Sequence, residues 1–234
     1  TNIADIPTLD AILLIGSDIK REQPLISHRV FQAFSDTATI MAVNPMDYNF
    51  PYALAYKMID FDILNCVAQL VKVFADEEGK TISVLRDIVI TSEAKNIAAQ
   101  LKTSKNKAIF LGNFAMQHPK ASILRQLCAE LAQLSGAQLN FLTEGANCAG
   151  AWLAGAVPHR AADGKIVTEA GRHAKALLTT QPANIYFLLN TEPEYDTAYP
   201  AAALKALNQA QLVVCLTTYV TPMMQQYADI ILPV

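Results

Sequence analysis

The side chains able to do chemistry are few, and their spacing excludes more than it suggests. The four cysteines, Cys66, Cys128, Cys148 and Cys215, contain no C-x-x-C or C-x-x-x-C pair, so neither an iron–sulfur cluster nor a zinc site is expected. Cys66 and Cys128 fall on apolar helical faces and Cys215 in an apolar run, which predicts buried free thiols in a reducing compartment. The histidines, His28, His118, His159 and His173, form no H-x-x-x-H or H-E-x-x-H, and no metal ligand is assigned. His118 and His159 sit beside proline in expected loops, and His28 and His173 in expected helices. Glu192, Glu194 and Asp196 follow an apolar run and read as an acidic loop. No G-x-S-x-G is present, so the hydrolase elbow is excluded and no catalytic residue is assigned.

The segment Glu144–Gly155 is rich in glycine and alanine. Gly145 and Gly150 have the spacing of a phosphate loop, but Ala151-Trp152 stand where that loop needs Lys-Ser/Thr. That phosphate chemistry is excluded. Small residues at this density instead predict close backbone packing or close approach to a ligand.

Short apolar runs alternate with amphipathic segments and supply the frame. The runs are Ala11–Ile15, Thr39–Val43, Ala108–Leu111, Leu139–Leu142, Ile185–Leu189 and Leu212–Leu216, and Asp229–Val234 reads as a further strand. They are continuous rather than alternating, which suits strands buried on both faces of a parallel sheet. Helices are expected where Ile26, Val30, Ala33 and Phe34 share a face after Pro24, and where Ile63, Val67, Leu70, Val71 and Phe74 do so behind an Asp62 cap. Ile123, Leu127, Leu131 and Leu134 predict another, closed by Gly136, and Leu204 and Leu207 a fourth after Pro200. The fold class expected is α/β, two Rossmann-like lobes with mostly parallel sheets. The stretch from Asp76 to Ser92 predicts a turn and an irregular segment. Lys-Thr-Ser-Lys-Asn-Lys at 102–107 interrupts the apolar pattern and sets the expected boundary, giving lobes 1–104 and 105–234. Units opening at Asp10 and Ala183 look alike.

Several runs end in small polar residues: Gly16-Ser17-Asp18, Gly112-Asn113, Asn190-Thr191 and Thr217-Thr218. In open α/β sheets such strand ends are where ligands bind. Hydrophobic residues make up 52% of the 234 residues, enough for a sizeable core. The formal net charge of −3, with scattered Lys and Arg, argues against nucleic acid as partner. No apolar stretch reaches the roughly 20 residues that span a bilayer, so no direct membrane insertion is expected. A start at Thr1 and the apolar run at Asp229–Val234 lead to the expectation of an internal piece of a longer protein.

Three segments together resemble one family. Asp10–Asp18 followed by Pro24–Val30 is similar to the adenine-like strand–loop–helix of molybdopterin oxidoreductases, written ILLIG(S/T)NP…P…R. Gly145-Ala146-Asn147-Cys148-Ala149-Gly150-Ala151, with Gly155 and Pro158, resembles their G-x-N-x-x-G-x…G…P segment. Ala228-Asp229-Ile230-Ile231-Leu232-Pro233, preceded by Thr221, resembles their ADVVLP signature. Within the family, Glu144–Arg160 and Tyr219–Met224 look most like the large iron–sulfur subunit of bacterial NADH–quinone oxidoreductase, respiratory complex I.

The resemblance implies a scaffold or docking segment of that enzyme's peripheral arm, supporting electron transfer from NADH to quinone. Its partners would be other peripheral-arm subunits, and its place the cytoplasmic side of the bacterial inner membrane. The iron–sulfur clusters would lie in a region preceding Thr1, with no cofactor in this segment and no catalysis by it alone. Gly16, Ser17, Asn44, Asn147 and Asn190 would mark the crevice where relatives hold a pterin dinucleotide. Active relatives carry Val-Asp-Pro-Arg where this chain has Val43-Asn44-Pro45-Met46, and Asp18 stands where the family has Asn. A carboxylate and a guanidinium are thereby lost, which implies a vestigial cleft. The alternatives are a fragment of a catalytic molybdopterin-dependent oxidoreductase and a small-molecule-binding α/β protein without redox chemistry. A cysteine-rich head upstream would mark the first reading, and a short cluster motif with a metal ligand the second.

Overall fold

A computed structural model of the chain describes every residue except Thr81 and Ala146, and it divides into two units, Thr1–Ala146 and Asn147–Val234. Each is an α/β unit with a parallel sheet.

The first unit opens with β1 (Ala11–Ile15), α1 (Ile19–Glu22), α2 (Pro24–Ser35), β2 (Thr39–Asn44) and β3 (Tyr56–Ile59). It continues with α3 (Ile63–Glu77), α4 (Ser92–Thr103), β4 (Lys107–Leu111), α5 (Asn113–Met116), α6 (Ala121–Ser135) and β5 (Gln138–Phe141). The strands pair in the order β3-β2-β1-β4-β5, all parallel. The order reverses at β1, so right-handed crossovers put α2 on one face and α3, α4 and α6 on the other.

That arrangement explains the continuous apolar runs. Every residue of β1 is 0% exposed, because Ile12 and Leu14 pack under α2 while Ala11, Leu13 and Ile15 pack under α3, α4 and α6. The predicted α3 face, Ile63, Val67, Leu70, Val71 and Phe74, is buried throughout. Burial of side chains of this size contributes about 1.5–3 kcal/mol each. Asp62 starts the helix, its Oδ1 accepting the Asn65 N–H at 3.0 Å. Gly136 ends α6 in the left-handed region at φ 73°.

Two sequence expectations need correction here, and two elements, α4 and β3, were not expected. The lobe boundary at 102–107 fails because Lys107 opens β4, which pairs with β1. The polar run spans the end of α4, the turn after it and the first residue of β4, and residues 105–146 belong to the first unit. The α6 face is turned by one position: Leu124, Cys128, Leu131 and Ala132 are buried, while Ile123 is 48% exposed. Helix α4 has only Ile97 and Leu101 as large apolar residues, the rest of its buried face being Ala94 and Ala98, too little contrast for the pattern to register. Strand β3 is an edge on which Met58 alone is buried, so it carries no apolar run.

The second unit contains α7 (Cys148–Leu153), α8 (Ala174–Leu178), β6 (Ile185–Leu189), α9 (Pro193–Asp196), α10 (Pro200–Asn208), β7 (Leu212–Thr217), α11 (Met224–Tyr227) and β8 (Ile230–Pro233). Its sheet runs β6-β7-β8, parallel. Tyr186, Val213 and Cys215 pack against Ala206, Leu207, Met224 and Tyr227. Strand β6 departs from the both-faces-buried expectation: Ile185, Phe187 and Leu189 are exposed. His173 is not within a helix as expected but caps α8, its Nδ1 accepting the Ala176 N–H at 3.2 Å.

Candidate functional site

In the first unit the carboxyl ends of β1, β2 and β4 bring three loops together. Gly16 turns the chain after β1 at φ 58°, and a Cβ there would lie 2.6 Å from the Ala115 nitrogen. Its N–H donates to the Val43 carbonyl at 2.8 Å, and its own carbonyl accepts from the Phe114 N–H at 3.0 Å. Gly112, after β4, approaches from the opposite side. A Cβ on it would stand 2.3 Å from Ser17 Cβ and 2.6 Å from the Gly16 carbonyl oxygen. Neither position has room for a side chain.

Ser17 and Asn44 are fully buried between these loops. The Ser17 N–H donates to Asn44 Oδ1 at 2.8 Å, and Asn44 Nδ2 donates to the Ser17 carbonyl at 3.2 Å. Asn44 thus satisfies both main-chain groups of a residue that has no sheet partner there. The Ser17 hydroxyl turns away and donates to Glu22 Oε2 at 3.3 Å, and the Asn113 N–H donates to the same oxygen at 3.3 Å. One carboxylate, delivered by α1, therefore takes the donors offered by two strand-end loops.

The edge is anionic. Asp18 lies 3.6 Å from Arg21 Nε, but the Arg21 side chain is 88% exposed. Arg29 bonds Gln32 Oε1 at 3.1 Å on the helix surface, and Met46 faces solvent. Burial first, then the Asp18 and Glu22 carboxylates, push the Tyr48 phenol up from its ordinary range. A phosphate at this edge would have to displace Glu22 and would meet Asp18. Unit charges 4 Å apart interact by about 1 kcal/mol in water and about 4 kcal/mol at a protein surface. These residues do not fit an anionic dinucleotide.

Over residues 1–234 the chain matches the model of one family, described as molybdopterin oxidoreductase. It belongs to the molybdopterin oxidoreductase family. No curated protein sequence matches it. Among the solved structures of similar fold are two that differ widely in sequence. The formyltransferase/hydrolase complex (FhcABCD) from Methylorubrum extorquens, in complex with methylofuran, is 12% identical with a TM-score of 0.61, covering 100% of this chain and 65% of that one. Acetylene hydratase from Pelobacter acetylenicus is 15% identical with a TM-score of 0.59, covering 96% of this chain and 41% of that one. The chain therefore spans less than two thirds of either, and at these identities the likeness is one of fold.

Of the five residues expected to mark the crevice, Gly16, Ser17 and Asn44 come together in the first unit. Asn147 and Asn190 belong to the second unit and are exposed. The G-x-N-x-x-G-x segment is described apart from Ala146, which lies outside the described residues. Asn147 covers Gly150, where a Cβ would lie 2.1 Å from Asn147 Oδ1, so the small residue there makes room for a neighbouring side chain. Asn190 adopts φ 48° and donates its N–H to the Leu216 carbonyl at 2.7 Å. The expected acidic loop is instead the short helix α9, with Glu192 just before it; Tyr219 donates to Glu192, and Tyr227 to Glu194 at 3.2 Å. Among the described residues no three metal-ligating side chains converge. Sequence reasoning missed Glu22, whose role depends on where α1 lands, and noted Gly112-Asn113 only as strand punctuation.

The cysteines give a direct test of this packing. Cys66, Cys128 and Cys215 are buried and Cys148 is half-buried. Burial first, with Asp60 and Asp62 adding, pushes the Cys66 thiol to about 11, and burial pushes Cys128 to about 12. A raised thiol pKa favours the protonated native state, so this stabilisation holds below the ordinary value of 9.0 and is lost as pH rises toward 11–12. Native titration with a thiol reagent at pH 8 is expected to modify Cys148 rapidly and the other three only after denaturation. Rapid modification of all four cysteines would show that the cores are open.

Proposed function

We propose that this chain is a scaffold and docking segment of the large iron–sulfur subunit of a bacterial NADH–quinone oxidoreductase. The observation that carries the reading is the Glu22 carboxylate on Ser17 Oγ and the Asn113 N–H. The donors that a strand-end site offers to an anionic ligand serve an internal acidic side chain instead, beside Asp18. The stretches Glu144–Arg160 and Tyr219–Met224 support the assignment to that subunit by their resemblance. On this reading electrons pass through clusters elsewhere in the subunit. The segment contributes a folded surface for other peripheral-arm subunits on the cytoplasmic side of the inner membrane. Among the described residues no helix is long and apolar enough to cross a membrane.

Elemental analysis and nucleotide extraction on the natural subunit, purified with its partners, test this. The expected result is iron and sulfide without molybdenum or tungsten. Molybdenum or tungsten near one equivalent, with an extracted guanine nucleotide, would make the chain part of a catalytic molybdopterin-dependent oxidoreductase. The 234-residue chain alone is expected to be colourless, because none of its cysteine spacings supports a cluster. Stoichiometric iron and sulfide in an anaerobic preparation would contradict that.

A further inference from the structure

One stripe of α2 faces a cleft in the first unit that is separate from the strand ends. Pro24, Ser27, His28 and Phe31 recur at intervals of three and four, so they stand one above another along the helix. With Lys20 from α1 and Pro51 from the segment between β2 and β3, they line a cavity of about 330 Å³. That volume is at the small end of the range for ligand sites. Ser17, Asn44, Glu22 and Asn113 take no part in it.

Behind the cleft lies an unsatisfied polar group. Tyr52 is 7% exposed and belongs to the core under α2. Its ring stacks on Phe50 at 5.6 Å and tilts against Phe34 at 6.0 Å, which holds the hydroxyl away from bulk water. Among the described residues that hydroxyl is buried without a hydrogen-bond partner. Burial pushes the phenol up from its ordinary range. The Ser27 hydroxyl beside it opposes that shift without closing a bond of normal geometry. Ser27 is itself 4% exposed and lines the cleft. A buried phenol with no partner is less stable than a phenylalanine of the same shape. A tyrosine at this place therefore calls for an acceptor that completes the chain from the cleft side.

The walls say what that acceptor is. Lys20 and His28 are the ionisable side chains of the lining, and neither forms an ion pair among the described residues. No carboxylate lines the cleft. In a chain of formal net charge −3 this is a locally cationic place, unlike the anionic strand-end edge. Phe31, 39% exposed, and the rings of Pro24 and Pro51 supply flat apolar flanks. One ammonium beside an imidazole suits a monoanion. An α-amino acid would bring an ammonium with no carboxylate to meet it, and a phosphate dianion would find neither an arginine nor a second lysine in the lining.

We propose that this cleft binds a small aromatic carboxylate. The ring of the ligand lies against Phe31 and the two prolines, and its carboxylate meets Lys20 and His28. The Ser27 hydroxyl accepts from Tyr52 and donates to the carboxylate, so that ligand binding satisfies the buried phenol. The proposal does not rest on the assignment to an NADH–quinone oxidoreductase, and either can fail without the other.

The test is an NMR titration of the 234-residue chain with benzoate. One saturable site with a Kd of about 1 mM or tighter is expected, with the largest amide shifts at Ser27, His28 and Phe31. Ser27→Ala and Tyr52→Phe are each expected to weaken binding about tenfold. Lys20→Gln is expected to weaken it and to remove most of its salt dependence. Benzyl alcohol, the neutral counterpart, is expected to bind about tenfold or more weakly than benzoate. Tyr52→Phe is also expected to leave the melting temperature of the ligand-free chain unchanged or higher, which loss of a hydroxyl serving only the core would not do. Four results would overturn the proposal. They are no saturation below about 10 mM; shifts scattered over the surface, the sign of an adventitious additive only; benzyl alcohol or inorganic phosphate binding as tightly as benzoate; or a Tyr52→Phe chain that melts lower yet holds benzoate as well as the parent. The last would assign the hydroxyl to a water inside the core.

Discussion

Gly112→Ala is expected to destabilise the first unit by about 3 kcal/mol or more, the upper end of what overpacking costs. Gly112 is not held by its backbone angle: φ is −91°, which any residue adopts. The constraint is space. A methyl group there would fall 2.3 Å from Ser17 Cβ, 2.5 Å from Ser17 Cα and 2.6 Å from the Gly16 carbonyl oxygen. Two of those three atoms are main chain and the third is fixed to it, so no side-chain rotation relieves the contact. The β1 and β4 loops must separate, and with them the Gly112 N–H bond to the Ile15 carbonyl and the Phe114 N–H bond to the Gly16 carbonyl, 2.9 and 3.0 Å long. For a unit of this size the loss corresponds to a melting shift of roughly 6–12 °C. Gly79→Ala is the control. Its φ of 67° strains alanine, but nothing lies within 4 Å of a Cβ there, so the cost is about 1 kcal/mol. Equal losses for the two variants in urea titrations would show that the close approach at Gly112 is not real.

Asn44→Ala is expected to cost about 2–4 kcal/mol. The substitution removes two hydrogen bonds and leaves the Ser17 N–H and carbonyl buried without partners, and each orphaned group carries a desolvation penalty of about 1–3 kcal/mol. Asn44→Asp separates the two contributions. It keeps an acceptor for the Ser17 N–H but sets a carboxylate oxygen against the Ser17 carbonyl in a fully buried position. Burial and that carbonyl favour the protonated acid, so the folded-state pKa of the new carboxyl rises above its unfolded value. The Asn44→Asp variant should therefore be most stable in acid and lose stability as pH rises through the carboxylate range. Chemical denaturation of both variants between pH 4 and 8 reads this. A pH-independent Asn44→Asp, or an Asn44→Ala indistinguishable from the parent chain, would mean that Asn44 is not the clamp on Ser17.

The two variants bear on function as well as stability. Asn44 stands where active relatives are expected to have an acidic residue in Val-Asp-Pro-Arg. Here its amide holds the β1 loop in place, and Glu22 occupies the donors on the outer side. On the proposed reading, a position that would face the ligand in active relatives holds the architecture here.

Some of this was determined by the sequence alone, where local pattern and environment coincide. Runs such as Ala11–Ile15 and Thr39–Val43 announce strands buried on both faces because every side chain in them is apolar or, at Thr39, small. Asp62 and Gly136 mark helix ends because capping depends on neighbours in the chain. The parallel α/β class follows from that alternation, and the likeness between Asp10 and Ala183 is a likeness of two such strand openings. Tertiary structure decided the rest. It placed β4 beside β1 and so moved the unit boundary past a charged turn that looked like a linker. It made Met58 the buried residue of an otherwise exposed edge strand. It also brought Glu22 to Ser17 and Asn113, the latter 91 residues away in sequence. The run Ile185–Leu189 is as apolar as Ala11–Ile15, yet one face of it is bare. Composition records that a strand can be buried on both sides; whether it is depends on which elements the tertiary fold lays against each face.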